Sequence, residues 1–263
     1  MQTLSLAMKA SPDEGEALPS PFRRVTALGA IHRRGQVAVV AAGSGGGKSA
    51  YATHLAVHGK HNWGDRIPTL YFSADSDKVT LGTRVACSLV NRPLSEVEEK
   101  LRGNDPEMWA KVAEIDWVWW CWNAEPSCWD IQQEVEAYGY VNGEYPHLVV
   151  VDNLINIDAE GEAGHVQKDG VMHWLQQLAN VTNAHVLVLH HVIGAYEDGT
   201  QPIPKSALLD KVAKRPRLVL TLWKPGENLL GVSVVKNSTG RASSDGSYGT
   251  TLAWMPERSW FQG

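Results

Sequence analysis

The sequence predicts an α/β fold, in which a mainly parallel central sheet is flanked by helices and completed by C-terminal antiparallel strands. Short β-branched runs alternate with helical segments between residues 36 and 191, the pattern of strands buried on both faces of a parallel sheet. After residue 191 a loop rich in Gly and Pro precedes a series of apolar runs separated by short turns. A chain of 263 residues is long enough to bury the core of such a domain.

Each element is predicted from its local pattern. Apolar, β-branched runs in the alternating part are predicted strands, at residues 36–42, 69–74, 117–122, 147–152 and 185–191. Helical segments separate them, and Ser127 is the expected N-cap of one helix. The predicted helices span residues 48–60, 78–90, 94–102, 106–115, 127–138 and 163–182. The antiparallel strands are predicted at residues 217–223, 229–236 and 250–255.

Organisation and composition limit the class of protein. Residues 1–21 are polar, rich in proline and partly acidic, so we expect a flexible N-terminal tail followed by one domain over residues 22–263. The net charge of −5 requires any nucleic-acid binding to use local basic patches. The 3 cysteines form neither a disulfide framework nor a complete zinc set. Without a membrane-length apolar run or a convincing signal peptide, we expect a cytoplasmic protein that makes no membrane contact.

A glycine-rich turn between the first strand and the first long helix carries the strongest signal. It matches the phosphate-binding P-loop pattern G-x-x-x-x-G-K-[ST], with alanine at the first position. Backbone N–H groups of such a loop surround phosphates, the lysine adds charge, and the hydroxyl binds Mg²⁺. A flexible linker would not lie between a buried strand and a helix start. We therefore predict ATP and Mg²⁺ as cofactors, with these nucleotide-binding residues: Ala42, Gly43, Ser44, Gly45, Gly46, Gly47, Lys48 and Ser49.

Acidic residues follow two of the predicted strands. Asp152 ends an apolar strand about 100 residues after the P-loop, where an aspartate holds the Mg²⁺ shell together with Ser49. Asp75 ends the second strand and is the candidate for activating the attacking water. Because the carboxyl ends of parallel strands share one edge, we expect Asp75 beside Lys48. A helix N-cap is the alternative role for Asp75, and Asp77 competes with it as the activating carboxylate.

These residues together resemble the RecA-like P-loop NTPase core of hexameric replicative helicases, the DnaB and plasmid RepA group and their bacteriophage relatives. The resemblance covers residues 22–261. It implies an ATPase that forms a homohexameric ring on single-stranded DNA inside a bacterial host cell, with ATP bound between subunits. It also implies that His190 or His191, which end the fifth strand, senses the γ-phosphate. A histidine that merely ends a strand is the alternative for either residue.

The chain departs from the family pattern in informative places. Asp75 stands where DnaB-like proteins usually carry glutamate. The segment KNSTGRAS resembles the family's Lys-x-Arg segment, whose basic residue reaches the neighbouring subunit's ATP site, but position 238 is serine. The resemblance therefore implies Lys236 or Arg241 as this trans-acting finger. A separate N-terminal domain, which DnaB uses for ring assembly and primase contact, has no counterpart, so only the motor part is expected.

The resemblance also implies which loops contact DNA. Residues 156–167 are acidic and unsuited to phosphate, whereas residues 193–208 contain Lys205, the preferred contact. Lys214 and Arg215 follow in a basic cluster that either tracks phosphates or forms a solvated turn and subunit contact. The tryptophans of residues 117–122 are expected in the core of a central strand, in preference to a base-stacking platform.

The leading functional hypothesis is an ATP-dependent helicase or translocase motor acting on single-stranded DNA in phage DNA replication. One alternative is a RecA-related recombination or single-strand annealing ATPase, which would use ATP to regulate DNA binding. Another is a regulatory or helicase-loading ATPase, whose hydrolysis would not respond to DNA. Replication or recombination proteins are possible partners under each hypothesis. A GTPase is disfavoured because the sequence contains no N-K-x-D motif.

Overall fold

The computed structural model describes residues 15–61, 64–158 and 165–262. Within them the strands are β1 (Val37–Ala42), β2 (Thr69–Ser73), β3 (Val118–Cys121), β4 (Leu148–Asp152), β5 (His185–His191), β6 (Leu218–Gly226), β7 (Leu229–Asn237), β8 (Gly249–Met255) and β9 (Trp260–Gln262). The helices are α1 (Arg23–Ala27), α2 (Lys48–His58), α3 (Lys78–Val90), α4 (Leu94–Arg102), α5 (Pro106–Ala113), α6 (Cys128–Asn142) and α7 (His165–Thr182). Short 3₁₀ turns connect several of these elements.

The strands form a single sheet in the order β3-β2-β4-β5-β1-β6-β7-β8-β9. From β3 to β6 every neighbouring pair is parallel, and from β6 to β9 every pair is antiparallel. The predicted fold class, a mainly parallel sheet with C-terminal antiparallel strands, is therefore confirmed. Strand β6 joins the two parts because it pairs in parallel with β1 and antiparallel with β7.

Two apolar layers cover the two faces of the sheet. One face packs against α1 and α2 and receives alternate residues of β1, including Ala38 and Val40. The other face packs against α6 and α7 and receives Val37 and Val39. Because side chains alternate along a strand, a strand buried on both faces must be apolar throughout, as β1 is.

Strand β3 lies at an edge of the sheet, so the expectation of a central tryptophan strand is wrong. Trp119 is 39% exposed and packs edge-on against Tyr138, with ring centroids 5.1 Å apart. On the opposite face Trp120 packs on Tyr71, at a centroid distance of 4.8 Å. Trp120 and Trp122 also line an apolar cavity of about 620 Å³ beneath α3, α4 and α5. The tryptophans are thus only partly core residues.

The end of the predicted N-terminal tail lies against the domain. The backbone N–H of Leu18 donates to the carbonyl of His32 at 2.8 Å, and that of Arg34 donates to Glu16 at 2.9 Å. Leu18 is buried. Residues 1–14 lie outside the described part, so the division into tail and domain stays a prediction. None of the helices in the described ranges has the length and apolar character needed to cross a membrane.

Candidate functional site: a phosphate-binding loop at the carboxyl edge of the sheet

The predicted P-loop connects the central strand β1 to the first turn of α2. Ala42 is the last residue of β1, in register with His191, so the position usually occupied by glycine has ordinary strand geometry. A side chain at Gly46 would begin 2.7 Å from the Cβ of Ala42, which explains why a glycine faces this alanine. Gly47 has φ +89° and is the N-cap of α2, a conformation that favours glycine.

Gly43 is a glycine because another loop approaches it closely. A Cβ at this position would overlap the carbonyl oxygen of Glu197, which belongs to the loop after β5. The side chain of Glu197 accepts a hydrogen bond from the backbone N–H of Gly194 at 2.8 Å, which closes a tight turn. The loop that follows β5 therefore lies directly on the P-loop backbone.

Lys48 is buried at the base of this loop, with 6% of its surface exposed. Its Nζ donates to the carbonyl of Ala42 at 3.2 Å and to that of Gly43 at 3.0 Å. Burial lowers the pKa of Lys48, whereas the negative charges of Asp152 and Asp75 oppose this shift. Both predicted carboxylates are thus close enough to Lys48 to influence its charge.

Asp152 ends β4 and is 2% exposed. Its Oδ2 accepts a hydrogen bond from the Tyr71 hydroxyl at 3.0 Å, while its Oδ1 has no hydrogen-bond partner in the described residues. Burial raises the pKa of Asp152, and the hydroxyls of Ser49 and Tyr71 counteract that shift. A buried carboxylate oxygen without a donor, beside Ser49, fits a ligand of a hard divalent cation such as Mg²⁺.

Asp75 and Asp77, which compete in sequence for one role, have different environments. Asp77 is the N-cap of α3, and its Oδ1 accepts from the backbone N–H groups of Val79 and Thr80 at 2.9 Å each. Asp75 is exposed, and its Oδ2 accepts a hydrogen bond from the side-chain amide of Asn153 at 3.1 Å. The structure thus leaves Asp75 at the carboxyl edge and uses Asp77 to begin a helix.

The paired histidines at the end of β5 face opposite sides of the sheet. His190 is fully buried, its Nε2 donates to the carbonyl of Leu209 at 2.8 Å, and burial lowers its pKa to about 4. His191 is partly exposed, and its Nε2 lies 3.2 Å from Nδ2 of Asn153. Burial and the charge of Lys48 lower the pKa of His191, and Asp75 opposes this shift. His191 is therefore the histidine that lies with the predicted carboxylates.

The two candidates for the trans-acting finger differ in their contacts. Lys236 donates to the carbonyls of Ala213 at 3.0 Å and Lys214 at 2.7 Å, both in its own chain. The exposed Arg241 places its guanidinium over the ring of Tyr248, at 4.7 Å. Arg241 is thus the more accessible of the two, and the role of either residue stays a prediction.

The predicted DNA contacts also differ in availability. Lys205 and Lys214 are exposed. Arg215 makes a two-point ion pair with Asp169 of α7, at 3.0 Å from Nε and 2.7 Å from a terminal nitrogen. Residues 159–164, within the predicted acidic loop, lie outside the described residues. The structure therefore gives Arg215 a partner in its own chain, while Lys205 and Lys214 face solvent.

Sequence reasoning missed Tyr71 and Asn153, both of which contact the predicted carboxylates. Tyr71 lies in the middle of β2, where an aromatic residue is typical of any buried strand. Asn153 follows Asp152 directly, but an Asn after a strand is equally typical of a turn. Only the pairing of β2 with β4 brings Tyr71 to Asp152.

This chain is similar in sequence to a family and to two phage proteins. A model of the AAA domain family matches residues 5–193. The Gene 65 protein of Mycobacterium phage L5 is 33% identical over 250 residues, which cover 92% of this chain and 91% of that protein. The Gene 65 protein of Mycobacterium phage D29 is 34% identical over 218 residues, which cover 80% of this chain and 91% of that protein.

Solved structures share the fold. A structure of a DnaB-like replicative helicase, described with its interactions with primase, matches with a TM-score of 0.78 at 16% identity, over 98% of this chain. This chain spans 64% of the length of that helicase. A second solved structure, of an isolated ATPase domain, matches with a TM-score of 0.79 at 15% identity, over 98% of this chain and 95% of that domain. The predicted RecA-like fold of replicative helicase ATPase domains is thus confirmed.

Proposed function

The chain belongs to the AAA domain family and is a P-loop ATPase, and from this premise we propose that it is a motor that uses ATP to move along single-stranded DNA. Its setting would be the replication of phage DNA. The observation that carries the proposal is the arrangement of Lys48, Asp152 and Asp75 at one edge of a sheet whose fold matches helicase ATPase domains.

The nucleotide site supplies the chemistry of this proposal. Lys48 and the loop N–H groups would bind the phosphates of ATP at the positive end of α2. Ser49 and the unpartnered Oδ1 of Asp152 would hold Mg²⁺, which neutralises phosphate charge when bound. Among the described residues no group of three or more His, Cys, Asp or Glu side chains could hold a metal ion. Mg²⁺ would therefore be held jointly by the protein and by phosphate oxygens.

Hydrolysis needs a group that orients the attacking water and accepts its proton. Asp75 is exposed at the carboxyl edge and lies close enough to Lys48 to affect its pKa, so it can take this role. His191 would contact the γ-phosphate from the neighbouring strand, since it is held near Asp75 through Asn153. A basic residue from a second subunit would complete the site in a homohexameric ring, and the accessible Arg241 is the better candidate.

Single-stranded DNA would contact the loop after β5. Lys205 is exposed on that loop, and Lys214 is exposed on the segment that follows it. Phosphate contacts of this kind are salt-dependent and do not depend on sequence. Arg215 would contribute less because Asp169 already neutralises it. The DNA-binding surface in this proposal is therefore centred on Lys205.

Steady-state ATP hydrolysis tests the proposal, measured with and without single-stranded DNA for the wild type and for Lys48→Ala. We expect DNA to stimulate the wild type and Lys48→Ala to be inactive in both conditions. Lys205→Ala should weaken the stimulation and raise the DNA concentration needed for it. Lys100→Ala, which removes an exposed lysine on α4, is the matched control and should behave as wild type.

Each other outcome has a definite meaning. Hydrolysis that ignores DNA would contradict a DNA motor and favour the regulatory or helicase-loading ATPase. DNA-stimulated hydrolysis without strand separation in a forked-duplex assay would favour the recombination or annealing ATPase. Equal loss of stimulation in Lys205→Ala and Lys100→Ala would contradict the proposed DNA surface.

A further inference from the structure

Asn153 joins three strand ends of the site through one side chain. It follows Asp152 of β4, is 2% exposed, and contacts residues that follow or end β2 and β5. Its Oδ1 accepts a hydrogen bond from the backbone N–H of Ile155 at 3.0 Å. Its Nδ2 lies 3.1 Å from Oδ2 of Asp75 and 3.2 Å from Nε2 of His191.

The partners of Asn153 fix the orientation of its amide. Rotating the amide by half a turn would place its carbonyl oxygen against the Asp75 carboxylate and its NH₂ against the N–H of Ile155. Both contacts would be repulsive, so only one orientation satisfies all three neighbours. In that orientation the two amide hydrogens are divided between Asp75 and His191. The neutral ring of His191 accepts through Nε2 and therefore carries its proton on Nδ1.

We propose that Asn153 is a positioning residue that holds the Asp75 carboxylate in line for water activation and ties its position to His191. This inference rests on the ATPase activity and on Asp75 as the activating carboxylate. Asp75 is exposed and follows the end of its strand, so its side chain has several rotamers of similar energy. A donor fixed by the buried turn after β4 selects one of them. The contact engages one carboxylate oxygen of Asp75 and leaves the second to accept a proton from water.

The same contact provides a mechanical link between the predicted sensor and the predicted base. Any movement of His191 changes the acceptor on one side of the Asn153 amide, and the amide can follow only by changing its bond to Asp75. Asp152 is the preceding residue of the chain, so the link begins beside the predicted cation ligand. Asn153 thus connects the groups expected to hold the cation, sense the γ-phosphate and activate water.

Kinetics of three variants test this role. Asn153→Ala removes both hydrogen bonds, and we expect kcat to fall by about tenfold or more, since small misplacements of reacting groups cost this much. KM and the affinity for ADP should stay within about twofold, because Asn153 is not placed against the phosphates. Asn153→Asp keeps the shape and the acceptor for Ile155 but sets a carboxylate against Asp75, so its kcat should fall further.

A double-mutant cycle separates positioning from a structural role. In an Asp75→Ala background the additional change Asn153→Ala should cost little or nothing, because the carboxylate that Asn153 positions is gone. Asn142→Ala, which removes an amide donor to the carbonyl of Tyr138 on α6, is the matched control and should keep the wild-type kcat.

The results that would overturn the inference are distinct from failure of the ATPase proposal. Wild-type kcat in Asn153→Ala, or additive losses in the double variant, would show that Asn153 does not act through Asp75. A parallel loss of ADP affinity and thermal stability would assign Asn153 a purely structural role. By contrast, absence of hydrolysis in the wild type, or activity in Lys48→Ala, would refute the ATPase site itself.

Discussion

The hydrogen bond from Tyr71 to Asp152 makes a specific prediction about pH. Both residues are buried, and the hydroxyl lies 3.0 Å from Oδ2 of Asp152. Tyr71→Phe removes this donor but keeps the ring that packs on Trp120. Burial already raises the pKa of Asp152, so losing a donor to its ionised form must raise the pKa further. Asp152 would then be protonated over a wider acidic range.

The size of the effect follows from the bond that is lost. A hydrogen bond to a charged group contributes about 1.5–3 kcal/mol, and 1.36 kcal/mol corresponds to about one pH unit. Since only the ionised carboxylate can hold a cation, the acid limb of kcat/KM for ATP should move to higher pH by about one to two units. Activity at alkaline pH should be nearly unchanged, because Asp152 is ionised there in both proteins.

The assay is the pH profile of kcat/KM at saturating Mg²⁺, measured for the wild type, Tyr71→Phe and Tyr51→Phe. Tyr51 is a matched control because it is also fully buried, but its hydroxyl bonds to Nε2 of His32 at 3.3 Å. Its acid limb should coincide with that of the wild type. An unchanged acid limb in Tyr71→Phe would refute the reasoning, as would an equal shift in both variants.

Two further predictions concern the same site. Asp152 has a raised pKa in the folded chain, so its contribution to stability is present at low pH and is lost as pH rises. Asp152→Asn should therefore raise the nucleotide-free melting temperature at neutral pH, by about 2–4 °C per kcal/mol, while abolishing hydrolysis; a lower value than wild type would contradict it. Gly43→Ala should weaken nucleotide binding because its methyl group overlaps Glu197, whereas Gly82→Ala on α3 has open space and should not. Equal nucleotide affinities in these two alanine variants, measured by titration, would rule out the proposed overlap.

The alternation of strands and helices was sufficient to predict the sheet and most of its elements from sequence. Helix α3 and strand β5 have the predicted bounds, and Ser127 caps α6 with a capping box as expected. The position of β3 could not be predicted, because local pattern does not give the lateral order of strands. Strand β9 is short and follows a turn, so its pattern is too brief to distinguish from a loop.

Motif spacing predicted the residues of the site but not their contacts. Lys48, Ser49 and Asp152 follow from spacing alone, since each occupies a defined place in a strand–loop–helix unit. The choice between His190 and His191 was beyond the sequence. Alternation places the pair on opposite faces, but only the register of β5 against β1 shows which face carries the P-loop. The bonds of Tyr71 and Asn153 depend on strand pairing over long separations in the chain.

The loop after β5 is tied to the nucleotide site by backbone contacts that need no particular side chain. The N–H of Ile193 donates to the carbonyl of Ala207 at 2.9 Å, which closes the base of the loop. Further along, the carbonyl of Glu197 lies against Gly43, whose own carbonyl accepts from Lys48 at 3.0 Å. A ligand that displaces the loop carrying Lys205 must therefore alter the packing on Gly43 or break the contact. Because packed contacts of this kind deform little, the shift reaches the carbonyl that Lys48 binds, which gives DNA a physical route to the phosphate site.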